Sequence, residues 1–418
     1  FMNLGVNPGA GCITVIGTDG TNEVRFEPVV NGKFLRVKFA SVDPLALTST
    51  QADLNPHLTY ASATIPQAQR DLSLGDPRGI VWSSSGTTGY VSGMGSNNVI
   101  EIGATGARAV GVNPIEVGQG PTGLALDAPR SRLYVLNRFD ATVSAIDTSS
   151  RAVVATVPMH DPTPIAIKTG RKHLYDTHKN SGLGHISCAS CHVDSRMDRL
   201  AWDLGDPDGV MDPVLASERN LGQNLLGLSP GTASPNFAPY HPMKGPMTTQ
   251  TLQDIIGKEP HHWRGDRLGI EAFNPAYIGL QGDDANLTIG IGGEMQEFED
   301  FLATLTFPPN PYRNFDNSLP TSLAMPGHYT TGRFAAAGTQ YPPANPQAGM
   351  AVYRSATMRL DMNAFACVTC HTLPTGAGTD MRMTSPVATP YVAIPPGPNG
   401  ERHLQLVSVD GVSNITMK

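Results

Sequence analysis

The sequence predicts a multidomain chain in which repetitive β structure leads and two small, mainly α domains follow. Three observations predict this. The first is a repeat of turn signals: Asp76-Pro77-Arg78-Gly79-Ile80 is echoed by Gly120-Pro121-Thr122-Gly123-Leu124 and by Asp161-Pro162-Thr163-Pro164-Ile165, 44 and then 41 residues apart. In each copy a tyrosine follows the fourth position by eleven residues, at Tyr90, Tyr134 and Tyr175. The second is a pentapeptide that occurs twice, as Cys188-Ala189-Ser190-Cys191-His192 and as Cys367-Val368-Thr369-Cys370-His371. The third is composition. With 44 glycines, 35 prolines and only 16% charged residues, the chain favours turns and short strands over long helices.

Repeats of about 40–45 residues, each with four short strands, are propeller blades. Residues 1–168 are therefore expected to form a whole or partial β-propeller, with about four blades before the first pentapeptide. Short alternating runs agree, such as Glu23-Val24-Arg25-Phe26 and Leu35-Arg36-Val37-Lys38-Phe39. The competing fold is a β-sandwich with chance spacing. Cys12 lies in the strand-like run Cys12-Ile13-Thr14-Val15-Ile16 and is expected to be a buried small hydrophobe.

The pentapeptide has the form C-x-x-C-H, the attachment signature of a c-type haem. Two thiols three positions apart share one side of a helical turn and can both reach the vinyl groups of one porphyrin. The histidine that follows then serves as proximal iron ligand. Other readings explain less. About 175 residues separate Cys191 from Cys367, against roughly 15–20 in a ribbon-type zinc site. A redox CxxC or a pair of disulfides requires no histidine after each pair. Two covalently attached haems c are expected, on Cys188, Cys191 and His192 and on Cys367, Cys370 and His371.

At 418 residues, two to four domains are expected. The net charge of −7 and the lack of a basic run exclude a nucleic-acid partner. No run of 18 apolar residues offers a transmembrane segment. Haem attachment outside the bacterial cytoplasmic membrane implies a periplasmic or cell-surface location. It also implies a leader, so the chain is expected to begin partway into a longer product.

The run Arg132–Asn137, Thr142–Asp147 and Ala152–Val157 resembles the YVTN family of β-propellers, closely over residues 75–165 and loosely over 1–75. A second resemblance begins at the third repeat copy. Gly170-Arg171-Lys172-His173-Leu174-Tyr175-Asp176, then Gly184-His185-Ile186-Ser187 before Cys188, resembles the approach to the first haem in the bacterial di-haem cytochrome c peroxidase and MauG family. The pattern recurs at Gly349-Met350-Ala351-Val352-Tyr353 before Phe365-Ala366-Cys367. His241-Pro242-Met243-Lys244-Gly245-Pro246 is similar to that family's H-G-x-x-K-G-P stretch, and His262-Trp263-Arg264-Gly265-Asp266-Arg267 to its F-W-D-G-R loop.

The resemblance implies that His241 is the distal ligand of the first haem, released on activation, and that Trp263 lies between the haems. From residue chemistry alone, His261, His262, Met243 and Met247 are further candidate ligands. Arg264 and Arg267 are read either as partners of haem propionates or as surface charges. The chain also departs from the family. Val193–Tyr240 is an insertion read as a solvated loop, including Trp202-Asp203. Phe273 stands where the family has a glutamine, and only Asp283 or Asp284 lies near the place of its catalytic acid.

Glu294–Leu305 reads as an amphipathic helix closing the first cytochrome c domain, 169–310. A Pro- and Gly-rich linker, 311–346, leads to a second cytochrome c domain, 347–418. That domain has no closing helix and is expected to be incomplete, with Met381 and Met383 as local candidates for the sixth ligand. The function read from this is electron transfer by a di-haem cytochrome to a redox partner protein. The alternatives are a peroxide-dependent oxidoreductase working at the first haem, and a docking subunit of a larger complex with a haem relay.

Overall fold

A computed structural model describes residues 2–21, 32–109, 111–203, 246–257, 261, 269–333 and 335–354, with Cys367, Leu373, Met383, Thr384, Leu406 and Val407. They fall into two compact units. One takes the described residues up to 203, with 246–253 and 270–305; the other takes those between 254 and 269 and those from 306 onward.

The first unit carries three four-stranded antiparallel sheets, each a simple meander. Strands β1 to β4 are Asn3–Asn7, Cys12–Gly20, Leu35–Asp43 and Thr48–Asp53; β5 to β8 are Pro77–Trp82, Thr88–Gly93, Asn98–Gly103 and Ile115–Glu116. Strands β9 to β12 are Pro121–Asp127, Arg132–Asn137, Thr142–Asp147 and Ala152–Pro158. Turn chemistry repeats between sheets. Asp43 Oδ1 accepts from the amides of Leu45 and Ala46, as Asp147 Oδ1 does from Ser149 and Ser150, so a carboxylate starts the last hairpin in two of the three.

Sheets pack face to face. Ile16, Val37 and Phe39 of the first meet Trp82, Val91, Ile100 and Ile102 of the second. Tyr90, Val99 and Ile115 of the second meet Leu133, Val135 and Ile146 of the third. The leading strands β1, β5 and β9 lie side by side. The approach of β5 to β9 needs glycine, because a Cβ on Gly79 would overlap the Thr122 carbonyl oxygen. Hydrogen bonds cross between sheets as well, from Trp82 Nε1 to Thr14 Oγ1 (3.0 Å) and from Ser92 Oγ to the Thr122 carbonyl (3.1 Å). The arrangement is propeller-like, with three four-stranded sheets among the described residues where about four blades were expected. The 54–76 stretch forms no blade; it carries the one-turn helix α1, Gln67–Arg70.

A helical cap belongs to the same unit. It contains α2 (Ile165–Tyr175), α3 (Thr177–Asn180), α4 (Pro275–Gly279) and α5 (Glu294–Leu302). The periodic run expected over Glu294–Leu305 is thus helical to Leu302, and it buries Met295, Phe298, Phe301 and Leu302. Helix α5 lies against α2 so closely that a Cβ on Gly170 would overlap the Glu297 carbonyl. His173 Nε2 meets Glu297 Oε2 at 2.8 Å across this contact. The cap is seated on the sheets by the Thr177 amide on the Gly95 carbonyl (2.9 Å), and the 54–76 stretch is tied to the loop after α4 by buried Arg70 with Asp283 (3.0 Å) and Asp284 (2.9 Å).

Two expectations are corrected here. Cys12 is half-buried at the start of β2, its thiol near the Ala10 carbonyl, because a hairpin corner leaves it open to solvent. Trp202 is not part of a solvated loop. It is buried in a short strand, Ala201–Asp203, paired with Pro246–Thr248. The expected strand at Glu23–Phe26 lies outside the described residues.

In the second unit, backbone pairing at Leu323 with Ala344 and at Tyr329 with Gln340 folds the expected linker back on itself. A helix, α6, follows at Pro346–Arg354. Among the described residues no helix is long and apolar enough to cross a membrane.

Candidate functional site

Helix α2 ends at Tyr175, and α3 and a tight turn at Gly184 bring the chain back to the first C-x-x-C-H segment. Cys188–Ser190 forms one 3₁₀ turn. The Ser187 amide donates to Ser190 Oγ (3.0 Å), and the amides of Cys191 and His192 both donate to the Cys188 carbonyl (3.3 and 2.9 Å). Both thiols and the imidazole are therefore carried by one compact turn. Among the described residues neither cysteine is in a disulfide, and no three His, Cys, Asp or Glu side chains form a metal cluster.

His192 is held from its far side. Its Nδ1 meets the Gln250 carbonyl oxygen at 2.7 Å. A carbonyl only accepts, so Nδ1 carries the proton and Nε2 is left with its lone pair free for a ligand bond. Burial lowers the pKa of this imidazole and favours the neutral form that can coordinate a metal. Burial also pushes the Cys188 thiol up to about 11 and the Cys191 thiol well above its ordinary value. Both sulfurs stay protonated at neutral pH, unlike the thiolates of a reactive redox pair or a zinc knuckle.

The surroundings are apolar on one side and polar on the other. Phe34, Leu35, Ile186 and Trp202 form a buried cluster that packs on Cys191 and Leu280. Trp202 stands edge-on to Phe34 and donates its indole N–H to Asp198 (2.9 Å). On the Cys188 side, Gln281 Nε2 donates to the sulfur at 3.4 Å, and the hydroxyl of wholly buried Tyr277 donates to the His173 carbonyl at 2.9 Å. Ser187 Oγ and Gln281 Oε1 are buried with no hydrogen-bond partner among the described residues. Two neutral thiols, an imidazole with Nε2 free and two unanswered polar atoms fit a flat, largely apolar group that also carries polar substituents.

Of the residues singled out from sequence, Cys188, Cys191 and His192 are brought together. Cys367 is half-buried in the second unit, while Cys370 and His371 lie outside the described residues. His241, Met243, His262, Trp263, Arg264 and Arg267 lie outside them too, as does Met381. His261 is buried. Met247 and Met383 are placed as backbone in short strands only. Asp283 and Asp284 are engaged by Arg70 rather than free to move protons. Sequence reading missed Gln250, Gln281, Tyr277 and Trp202. Gln250 acts through its backbone carbonyl, which leaves no signal in residue type.

No protein-family model matches the chain, and no curated protein sequence matches it. Among solved structures it is similar to Kuenenia stuttgartiensis hydrazine synthase (15% identity, 35% of this chain and 45% of that one, TM-score 0.28). It is also similar to a nidogen/laminin complex (14% identity, 35% and 43%, TM-score 0.24). A third is dihydro-haem d1 dehydrogenase NirN in complex with DHE (14% identity, 38% and 27%, TM-score 0.23). The chain spans less than half the length of each, and likeness at this level carries no argument about function.

Proposed function

We propose that this chain is a di-haem c-type cytochrome that passes electrons outside the cytoplasm. The observation that carries the reading is His192: it follows a C-x-x-C pair on one turn, and the Gln250 carbonyl leaves its Nε2 free to bind iron. Cys188 and Cys191 would hold the first haem through thioethers, with His192 as proximal ligand. Cys367, Cys370 and His371 would hold the second. When bound, haem supplies a centre that takes up and gives back one electron.

The residues of the site do the rest. The Phe34–Trp202 cluster excludes water from the Cys191 side, Gln281 orients the Cys188 sulfur, and Gln250 fixes the imidazole. In this reading His241 is the distal ligand and Trp263 lies between the haems, with Arg264 and Arg267 on propionates. The partner is a redox protein in the periplasm or at the cell surface. The domain scheme is a propeller over 1–168, a first cytochrome c domain over 169–310, a linker over 311–346 and a second cytochrome c domain from 347.

The family resemblance also suggests peroxide-dependent oxidation at the first haem. That reading is the weaker one, because Phe273 replaces a glutamine and the two nearby carboxylates are tied to Arg70.

Expression of the full chain with a cytochrome c maturation system, followed by haem staining on a denaturing gel, tests the attachment. Two covalent haems are expected, and one after Cys188→Ala with Cys191→Ala. A chain that takes up no covalent haem overturns the proposal. Electron paramagnetic resonance separates the two functions: low-spin signals from both haems, oxidised and half-reduced, support electron transfer. A high-spin first haem on half-reduction overturns it in favour of the peroxidase reading.

A further inference from the structure

The turn that follows His192 is unusual. Asp194 and Ser195 both adopt left-handed backbone (φ 52° and 62°), a conformation that costs non-glycine residues free energy unless neighbours enforce it. Four contacts enforce it. The Ser195 amide donates to the His192 carbonyl (2.9 Å), and the Leu252 amide donates to the Ser195 carbonyl (3.0 Å). Tyr175, at the end of α2, meets Ser195 Oγ at 3.2 Å. The fourth contact comes from the sheets: Arg78, on β5, reaches Asp194 Oδ1 through Nη1 at 2.9 Å.

Arg78 is itself fixed. Its Nε and Nη2 donate to the two oxygens of buried Asp76 at 2.8 and 3.1 Å, a two-point grip that sets the plane of the guanidinium. A second-sheet strand therefore begins with a rigid cation aimed at the residue two beyond the proposed iron ligand.

We propose that Arg78 is a positioning residue for His192, acting through Asp194, so that the second sheet is a structural part of the haem site. This deepens the cytochrome reading and rests on it. The clamp holds the 193–195 turn closed, and the turn together with Gln250 sets the direction of the imidazole.

Removing Arg78 would strand the buried Asp76 charge and could unfold the chain. Asp194→Asn, at a half-exposed side chain, breaks only the outer limb, and Arg78→Lys retains the charge without the two-point grip. Hydrogen exchange is read first, in the full chain without haem. With Asp194→Asn, the amides of His192 to Arg196 are expected to exchange about three- to fivefold faster, the scale of one partly exposed ion pair, with Val91 and Ile100 unchanged.

In the haem-loaded chain the midpoint potential is expected to shift with Asp194→Asn, and to shift less with Arg78→Lys. Unchanged exchange, or an unchanged potential, overturns the clamp. A wild-type chain that takes up no haem defeats the cytochrome reading instead, and exchange then decides the clamp alone.

Discussion

The sheets and the cap of the first unit begin from similar sequence and end as different structures. Pro121–Tyr134 and Pro162–Tyr175 share a proline near the start and a tyrosine at the same spacing. The first stretch is a β-hairpin, β9 into β10; the second is an α-helix with Tyr175 at its last turn. The difference lies in one position. Where Gly79 and Gly123 stand in the strands, the third copy has Pro164, which lacks an N–H for ladder pairing and suits the start of a helix. Once helical, the same segment buries Gly170, Arg171, His173 and Leu174. The sheets bury neutral polar groups, among them Asn7, Thr14, Ser92, Asn98, Asn137 and Ser144, whereas the cap and the segment after α3 bury the imidazoles of His173 and His185 along with Asn180 and Ser181. Apolar packing and close backbone contact hold both regions, and the cap region adds buried groups that can take a charge.

The strongest way to break this contrast is Gly170→Ala. In an ordinary helix the change would stabilise by about 1 kcal/mol. Here the new methyl overlaps backbone of α5, and a loss of about 3–4 kcal/mol is expected in urea unfolding. A neutral or stabilising result would mean that the α2–α5 contact has room for a methyl group.

Acid should separate the two regions next. Buried His185 has its pKa lowered to about 4 by desolvation, while its contact with the Leu35 carbonyl (3.1 Å) pulls the other way. The folded chain binds this proton more weakly than the unfolded chain, whose imidazole titrates near 6.5. The contribution is therefore fully present above about pH 6.5 and is lost as pH falls toward about 4, on the order of 3 kcal/mol in all. Hydrogen exchange at pH 7 and pH 5 should show the cap loosening before the sheets, and His185→Gln should flatten the dependence. Equal acid sensitivity in both regions would erase the contrast.

The smallest effect sharpens the sheet side. A Cβ on Gly123 would meet only Leu136, at an ordinary 3.5 Å. Gly123→Ala is expected to move the unfolding midpoint by no more than about 0.5 kcal/mol, unlike the same change at Gly79.

What could be read without coordinates was what is local in the chain. The strands at Cys12–Ile16 and Leu35–Phe39, the third-sheet meander and the Glu294 helix all announce themselves by side-chain period, which depends on neighbours two to four positions away. The C-x-x-C-H spacing is local as well, so the thiols and His192 were legible at once. Three features depended on segments far apart in sequence. The helix that starts after Pro164 found its packing face on α5, about 130 positions on in the chain. Trp202 left its apparent loop to pack on Phe34, 168 positions earlier. His192 found its hydrogen-bond acceptor in a carbonyl 58 positions on. A backbone oxygen belongs to every residue alike, so only tertiary structure could decide which one fixes the imidazole.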